Sequence, residues 1–300
     1  MRLSRKTRLA LRKAGRNAVL LCLAAIAMIY LIGPVYWMVS TSLMTEKEMF
    51  QVPPHWYPHD PSFHAYRAIF GFNPELVAEV NARGLQVQNI MPALWNSIKT
   101  SVFVAFATIL IAIPAAYSFA RLRFRLSLPL LMAYMMLRTV PSIVLVVPVF
   151  MVLRTIGLID TTASLVLVYC TFTVPFSIWL LQSYFKTIPI ELEEAAWVDG
   201  CGQLTAAIRI MLPLAVPGIV ATFILAFMAS WSEFLYAVTF TKTLNSQTVT
   251  VIASSFIGIE AARFDLVLAA GVLSSLPPFI LALIVQRYIV AGFAAGSLKG

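Results

Sequence analysis

Long apolar runs alternate with short polar stretches along the whole chain. Six runs approach the ~20 residues that a helix needs to cross a bilayer core. They cover roughly 18–40, 94–119, 128–153, 163–185, 214–239 and 266–290. The pattern predicts an all-α, polytopic membrane protein. Pro34, Pro114, Pro141, Pro148, Pro175 and the Pro277-Pro278 pair fall inside these runs. Proline is tolerated in a membrane helix where neighbouring helices or water satisfy the freed carbonyls, so these positions are read as packing kinks. The first run follows a basic segment, as in a signal peptide, but it is as long as a span and no clear small-x-small cleavage site follows it. It is read as an uncleaved span. The chain then divides into a basic segment 1–17, a membrane body 18–290 and a tail 291–300.

One polar stretch is unlike the others. Lys186–Pro213 lies between two apolar runs and is longer than a turn requires. Pro189 suits the first turn of a helix, where its missing N–H costs nothing. Glu191, Glu193 and Glu194 follow, and carboxylates favour the positive end of the helix dipole. Glu191, Glu194 and Val198 share one face by helical spacing. Ala195 and Ala196 keep the helix slim enough to enter a cleft. Asp199 precedes Gly200, which permits the left-handed geometry that ends a helix. An amphipathic helix lying on the bilayer is the competing reading. It is weak, because three Glu would face an anionic leaflet without compensating Lys.

Composition agrees with a membrane protein. The chain is 60% hydrophobic and 12% charged, about half the charged share of a soluble domain. Its mean hydropathy is +0.85 and its pI about 9.7. The net charge of +9 raises the question of nucleic acid. The positions of the charges answer against it. Arg2, Arg5, Lys6, Arg8, Arg12, Lys13 and Arg16 precede the first run, and Arg121, Arg123 and Arg125 lie between the second and third. This is the positive-inside distribution. It places both termini, loop 120–127 and the Glu194 stretch in the cytoplasm, and 41–93, 154–162 and 240–265 outside.

Ionisable residues inside membrane runs are costly and suggest function. Arg138 sits near the middle of the third run and Glu233 in the fifth. Each is a candidate for the translocation path or for a structural ion pair. Lys99 and Arg287, near run ends, are expected to snorkel. Tyr117, Tyr134, Tyr169, Trp179, Trp231 and Tyr236 offer aromatic faces to an apolar C–H surface, though most such aromatics only pack. The stretch Trp231-Ser232-Glu233-Phe234 is the favoured candidate. Cys22, Cys170 and Cys201 have neither metal-site nor disulfide spacing. His55 and His59 are four apart, as metal ligands on a helix are, but the adjacent prolines argue against a helix there. The chain contains no G-x-x-x-x-G-K-[ST], no H-E-x-x-H and no G-x-S-x-G. Enzymatic activity therefore has no support in the sequence.

Glu194-Ala195-Ala196, then Gly200, then Ile210 and Leu212-Pro213, resembles the EAA loop of permease subunits from ATP-binding-cassette importers. The fuller stretch from Ile188 resembles the carbohydrate branch, the maltose-type inner-membrane permeases. So do Pro175–Leu181, Trp231–Leu235 and Gly292–Gly300. Ser232 departs from the Asn usual in that branch, which puts any transferred role for that position in doubt. The resemblance implies a type I importer permease fold of six transmembrane helices in a bacterial or archaeal inner membrane. It implies that Glu191, Glu194, Ala195, Ala196, Asp199, Gly200, Leu212 and Pro213 couple to a separate ATPase. The implied partners are two ATPase subunits, a second homologous permease, an external substrate-binding protein, a carbohydrate and membrane lipid. No cofactor is expected on this chain, since ATP and Mg would sit on the ATPase. A permease for another solute and an ion-coupled secondary transporter remain the alternatives. The second should show inverted repeats, and none is found.

Overall fold

The computed structural model describes residues 5–82, 87–122, 125–137, 139–256 and 263–297. The membrane body is built on two helices that run in the same direction, α5 (Ile90–Arg121) and α8 (Thr162–Phe185). They pack closely because α5 turns small residues toward α8 and its neighbours. Ala93, Ser97, Thr100, Ser101, Val104, Ala105, Thr108, Ala112 and Ala116 are all buried and recur three or four apart. Small residues let membrane helices approach and bring their hydroxyls within bonding distance. Thr108 and Thr173 hydroxyls meet at 2.7 Å, and Thr173 also donates to the Tyr169 carbonyl at 2.9 Å.

Helix α11 (Leu212–Trp231) packs on both members of this pair, and α14 (Phe264–Ser297) packs on α11. Gly218 makes the α8–α11 contact possible. A Cβ there would lie 2.5 Å from Cγ of Tyr184. Helix α1 (Arg5–Ser42) touches the bundle through α14 and leaves its apolar side chains exposed, as a helix against lipid or another subunit does. The N-terminal basic segment is helical from Arg5 and continuous with the first span.

Five helical stretches are long and apolar enough to cross a membrane among the described residues: Gly15–Ser42, Val87–Arg121, Thr162–Phe185, Gln203–Trp231 and Phe264–Ile284. The third run does not form one helix. It breaks into α6 (Ser127–Leu137) and α7 (Ser142–Thr155). Pro141, extended at ψ 129°, forces the break, because it lacks an N–H and keeps the residue before it out of the helical region. The fifth run also breaks. Helix α11 stops at Trp231 and a short α12 (Leu235–Phe240) follows. No proline lies at this second break. The sixth helix continues past 290 to Ser297.

The stretch 41–93 is more than a loop. It holds α2 (Glu46–Met49), α3 (His64–Ile69) and α4 (Pro74–Ala82), and 240–265 carries α13 (Val249–Ser255). Buried Ala65, Ala68 and Ile69 of α3 join Val249, Ile252, Leu266 and Ala269 in one apolar cluster at this end of the bundle. The 32 residues of α5 carry the chain from here to the opposite end, roughly 48 Å away. That opposite end holds the polar stretch after α8.

Candidate functional site

The stretch after α8 folds as a short helix, α9 (Glu191–Val198). Pro189 lies just ahead of the cap rather than in the first turn, and the Ile190 carbonyl takes the N–H groups of Glu193 and Glu194 at 2.9 and 3.0 Å. The helix ends in a Schellman turn. The Gly200 N–H bonds to the Trp197 carbonyl at 3.1 Å, and the Cys201 N–H to that of Ala196 at 2.9 Å. Gly200 supplies the required φ of +87°. Asp199 is the cap itself and is exposed.

One face of α9 is fixed and the other is open. Glu193 is fully buried and accepts from Arg121 Nε at 2.6 Å and from the Tyr117 hydroxyl at 2.9 Å. Arg121 also donates to the Ile188 carbonyl at 2.9 Å. The end of α5 therefore holds α9 through one carboxylate, which takes charge-assisted bonds from two side chains. Ala196 packs inward, 7% exposed. Glu191, Glu194 and Ala195 face out, as the helical spacing predicts, and Val198 is 87% exposed. Leu192, Leu204 and Ile208 add further exposed apolar surface nearby.

Beyond Gly200 the chain enters α10 (Gln203–Ala206), then a π-helical turn over Ala207–Met211, then α11. Pro213 gives the reason for the wider turn. It has no N–H to offer the Arg209 carbonyl, and its ring crowds that carbonyl. Leu212 is half-buried against the core and Pro213 is exposed. The residues singled out for coupling in the sequence thus lie in two groups: an exposed helix face, and the root of α11.

The stretch 231–234 is the break between α11 and α12. Trp231 is 7% exposed, stacks on Phe227 at 5.6 Å and donates to the Ser274 carbonyl at 3.2 Å. The Ser232 hydroxyl turns back to the Met228 carbonyl at 3.0 Å. Glu233 accepts from the N–H groups of Tyr236 and Ala237 at 3.0 to 3.2 Å and so starts α12. Phe234 is 42% exposed. Arg138 lies outside the described residues. Of the remaining aromatics, Tyr117 is committed to Glu193 and Tyr169 is fully buried, while Trp179 stays 42% exposed. Glu193 is one of three carboxylates in the first turn of α9, but it serves as the buried anchor rather than only as a partner of the helix dipole. Its spacing two residues from exposed Glu191 was the signal that it points inward.

The described residues form a helical membrane bundle with a short docked helix between the fourth and fifth apolar runs. The family model for the binding-protein-dependent transport system inner membrane component matches residues 108–294, and the chain belongs to that family. It is 32% identical over 277 residues to the sulfoquinovosyl glycerol transport system permease protein SmoH of Agrobacterium fabrum, covering 92% of each chain. It is 32% identical over 292 residues to the trehalose/maltose transport system permease protein MalG of Thermococcus litoralis, covering 97% of this chain and 100% of that one. In fold it is similar to a chain of a bacterial ABC transporter involved in the import of the acidic polysaccharide alginate, with a TM-score of 0.72, 22% identity, and 96% and 99% of the two chains covered.

Proposed function

We propose that this chain is the permease subunit of an ATP-driven carbohydrate importer and that α9 is its coupling helix. The observation that carries the proposal is the division of α9 into a face clamped by Arg121 and an open face of Glu191, Glu194, Ala195 and Val198. A helix held on one side and bare on the other suits a groove in a second protein. That protein would be an ATPase subunit, present twice, carrying the ATP and Mg. The open α9 face, Arg5 and Ser297 lie at one end of the bundle, with Arg121, Arg125 and Lys186. The positive-inside rule makes that end cytoplasmic.

Carbohydrate as the substrate follows from the relatives, whose names state transport of a sulfoquinovosyl glycerol and of trehalose or maltose. A second permease would cover the exposed apolar side of the bundle, and an external binding protein would deliver the sugar. At the helix break Trp231–Phe234 backbone and an exposed aromatic leave regular helix within an apolar run, a setting that suits a translocation contact. ATP-driven closure of the ATPases would move α9, and the Arg121–Glu193 pair would pass that movement to α5.

The test uses the intact complex in membranes. Glu194→Lys and Gly200→Trp should each abolish substrate-dependent ATP hydrolysis and uptake while insertion stays normal. Full uptake by both variants would remove α9 from the coupling role.

A further inference from the structure

At the end of the bundle opposite α9, the segment 50–63 folds back over α2 and returns two imidazoles to one carboxylate. Nδ1 of His55 is 3.3 Å from Oε1 of Glu48, and Nδ1 of His59 is 3.1 Å from the same oxygen. The three ligand atoms all lie within 4.8 Å of one another. A tetrahedral zinc ion bound at ~2.0–2.1 Å by nitrogen and ~2.0–2.2 Å by oxygen has N···O edges of about 3.3–3.5 Å. The two observed separations are already close to such edges.

Hydrogen bonding alone accounts for the cluster poorly. Oε1 receives the His59 backbone N–H at 2.7 Å, which takes one lone pair. Two imidazole donors would then compete for what remains. The side chain of Glu48 is 10% exposed, whereas those of His55 and His59 are 28% and 52% exposed. A buried carboxylate thus faces two accessible imidazoles, with solvent available for a fourth ligand. Catalytic and exchangeable zinc sites share this arrangement of three protein ligands and one open position.

The segment is held in place for the task. Tyr36 and Ser40 of α1 donate to the Trp56 carbonyl at 3.1 and 3.2 Å. Trp56 meets Trp37 edge-on at 5.4 Å. The Ser62 N–H bonds to the Leu43 carbonyl at 2.8 Å. Pro53, Pro54, Pro58 and Pro61 limit the remaining freedom.

We propose that Glu48, His55 and His59 form a binding site for one divalent ion of the zinc class, which staples the 50–63 segment to α2. Imidazole with a single carboxylate selects zinc, copper or nickel over magnesium or calcium. The site is independent of the importer reading, because it needs no partner subunit.

The full chain, purified without a His tag and stripped with a chelator, is titrated with Zn2+ against a chromophoric competitor. Co2+ is used in parallel as a spectroscopic probe. The expected result is one equivalent of tight binding and a tetrahedral Co2+ spectrum. Outer-shell changes alone weaken metal sites by ~10–100-fold, so His59→Gln and His55→Gln should each weaken binding by about 100-fold or more. Both rings are accessible enough for these variants to keep the fold, which circular dichroism checks. Zn2+ should also protect 50–63 from proteolysis in the wild type alone. Binding unchanged in the double variant, or no competition by wild type for Zn2+, would overturn the site.

Discussion

The two ends of the bundle are held by different means. At the α9 end, one buried ion pair does most of the work: Arg121 to Glu193, with Tyr117 in support. Around it lies exposed apolar surface from Leu192, Val198, Leu204 and Ile208. At the other end, charges come in redundant clusters. Asp265 is fully buried and accepts from Arg263 at 3.0 and 2.8 Å, with Nε2 of His64 at 2.6 Å. Arg263 also faces Glu46 at 3.6 Å and Glu79 at 3.7 Å. Asp160 ties the α7–α8 turn to the residues after α12. One end spreads its ion pairs over several carboxylates. Among the described residues the other end is held by the Arg121–Glu193 clamp, with exposed apolar side chains around it.

The largest expected effect tests that asymmetry. Glu193→Gln leaves the buried Arg121 without its charge, and breaking a buried pair from one side costs about 3–5 kcal/mol. Helix α9 should detach, and protease should cut within 186–203 in the purified chain. Asp265→Asn should cost less, because Arg263 keeps Glu46 and Glu79. Thermal unfolding of both variants in nanodiscs compares them directly. Equal losses would mean that the two ends are equally redundant, and the contrast would fail. Arg121→Met with Glu193→Leu should recover part of the loss, since apolar pairs of similar volume replace buried ion pairs well.

Much of the bundle was legible in the sequence, for a physical reason. Bilayer thickness sets span length, so five of the six apolar runs correspond to helices able to cross. The open face of α9 was legible too, since helical spacing alone puts Glu191, Glu194 and Val198 together. The two helix breaks were not. Pro141 looked like the other prolines in the apolar runs, and Pro114, Pro148 and Pro175 do sit inside unbroken helices. The break after Trp231 depends on Glu233 capping a new helix, which no periodicity announces. The Arg121–Glu193 pair joins residues 72 apart in sequence. Contacts of that range follow from packing rather than from local pattern.

A smaller effect concerns how each end makes its left-handed bend. At the α9 end Gly200 has φ +87°, and a Cβ there would meet nothing within 4 Å. Any cost of substitution is therefore backbone strain alone, about 1–2 kcal/mol for an ordinary residue. Gly200→Ala should lower thermal stability by roughly that amount, and Gly200→Asn by less, because Asn tolerates this region. Identical midpoints for the two variants would show that the Schellman turn is not what holds the end of α9.

At the other end Gly71 and Gly157 bend in this way at φ +78° and +72°, and Asp160 does so at φ +63° without being a glycine. Its side chain stabilises the conformation that its backbone resists. It accepts from the Lys242 and Thr243 N–H groups at 2.7 and 3.0 Å, from the Thr243 hydroxyl at 2.8 Å and from the Ser246 hydroxyl. Burial pushes this carboxyl up, but the four donors outweigh it and bring it down to about 2. An unfolded Asp titrates near ~3.9. A depressed folded value means that the native state binds its proton less readily than the unfolded one. The stabilisation is therefore complete above pH ~4 and is lost as pH falls through about 2. Asp160→Asn keeps the tolerance for the left-handed bend and removes the charge. The gap in thermal midpoint between wild type and Asp160→Asn should be constant from neutral pH down to about 4, then close toward about 2. The effect should be small, since the site is partly solvated and screened. Other carboxylates titrate in the same range, but they cancel in the difference between the two proteins. A gap that stayed constant to the lowest pH would mean that the donors hold Asp160 by shape and not by charge.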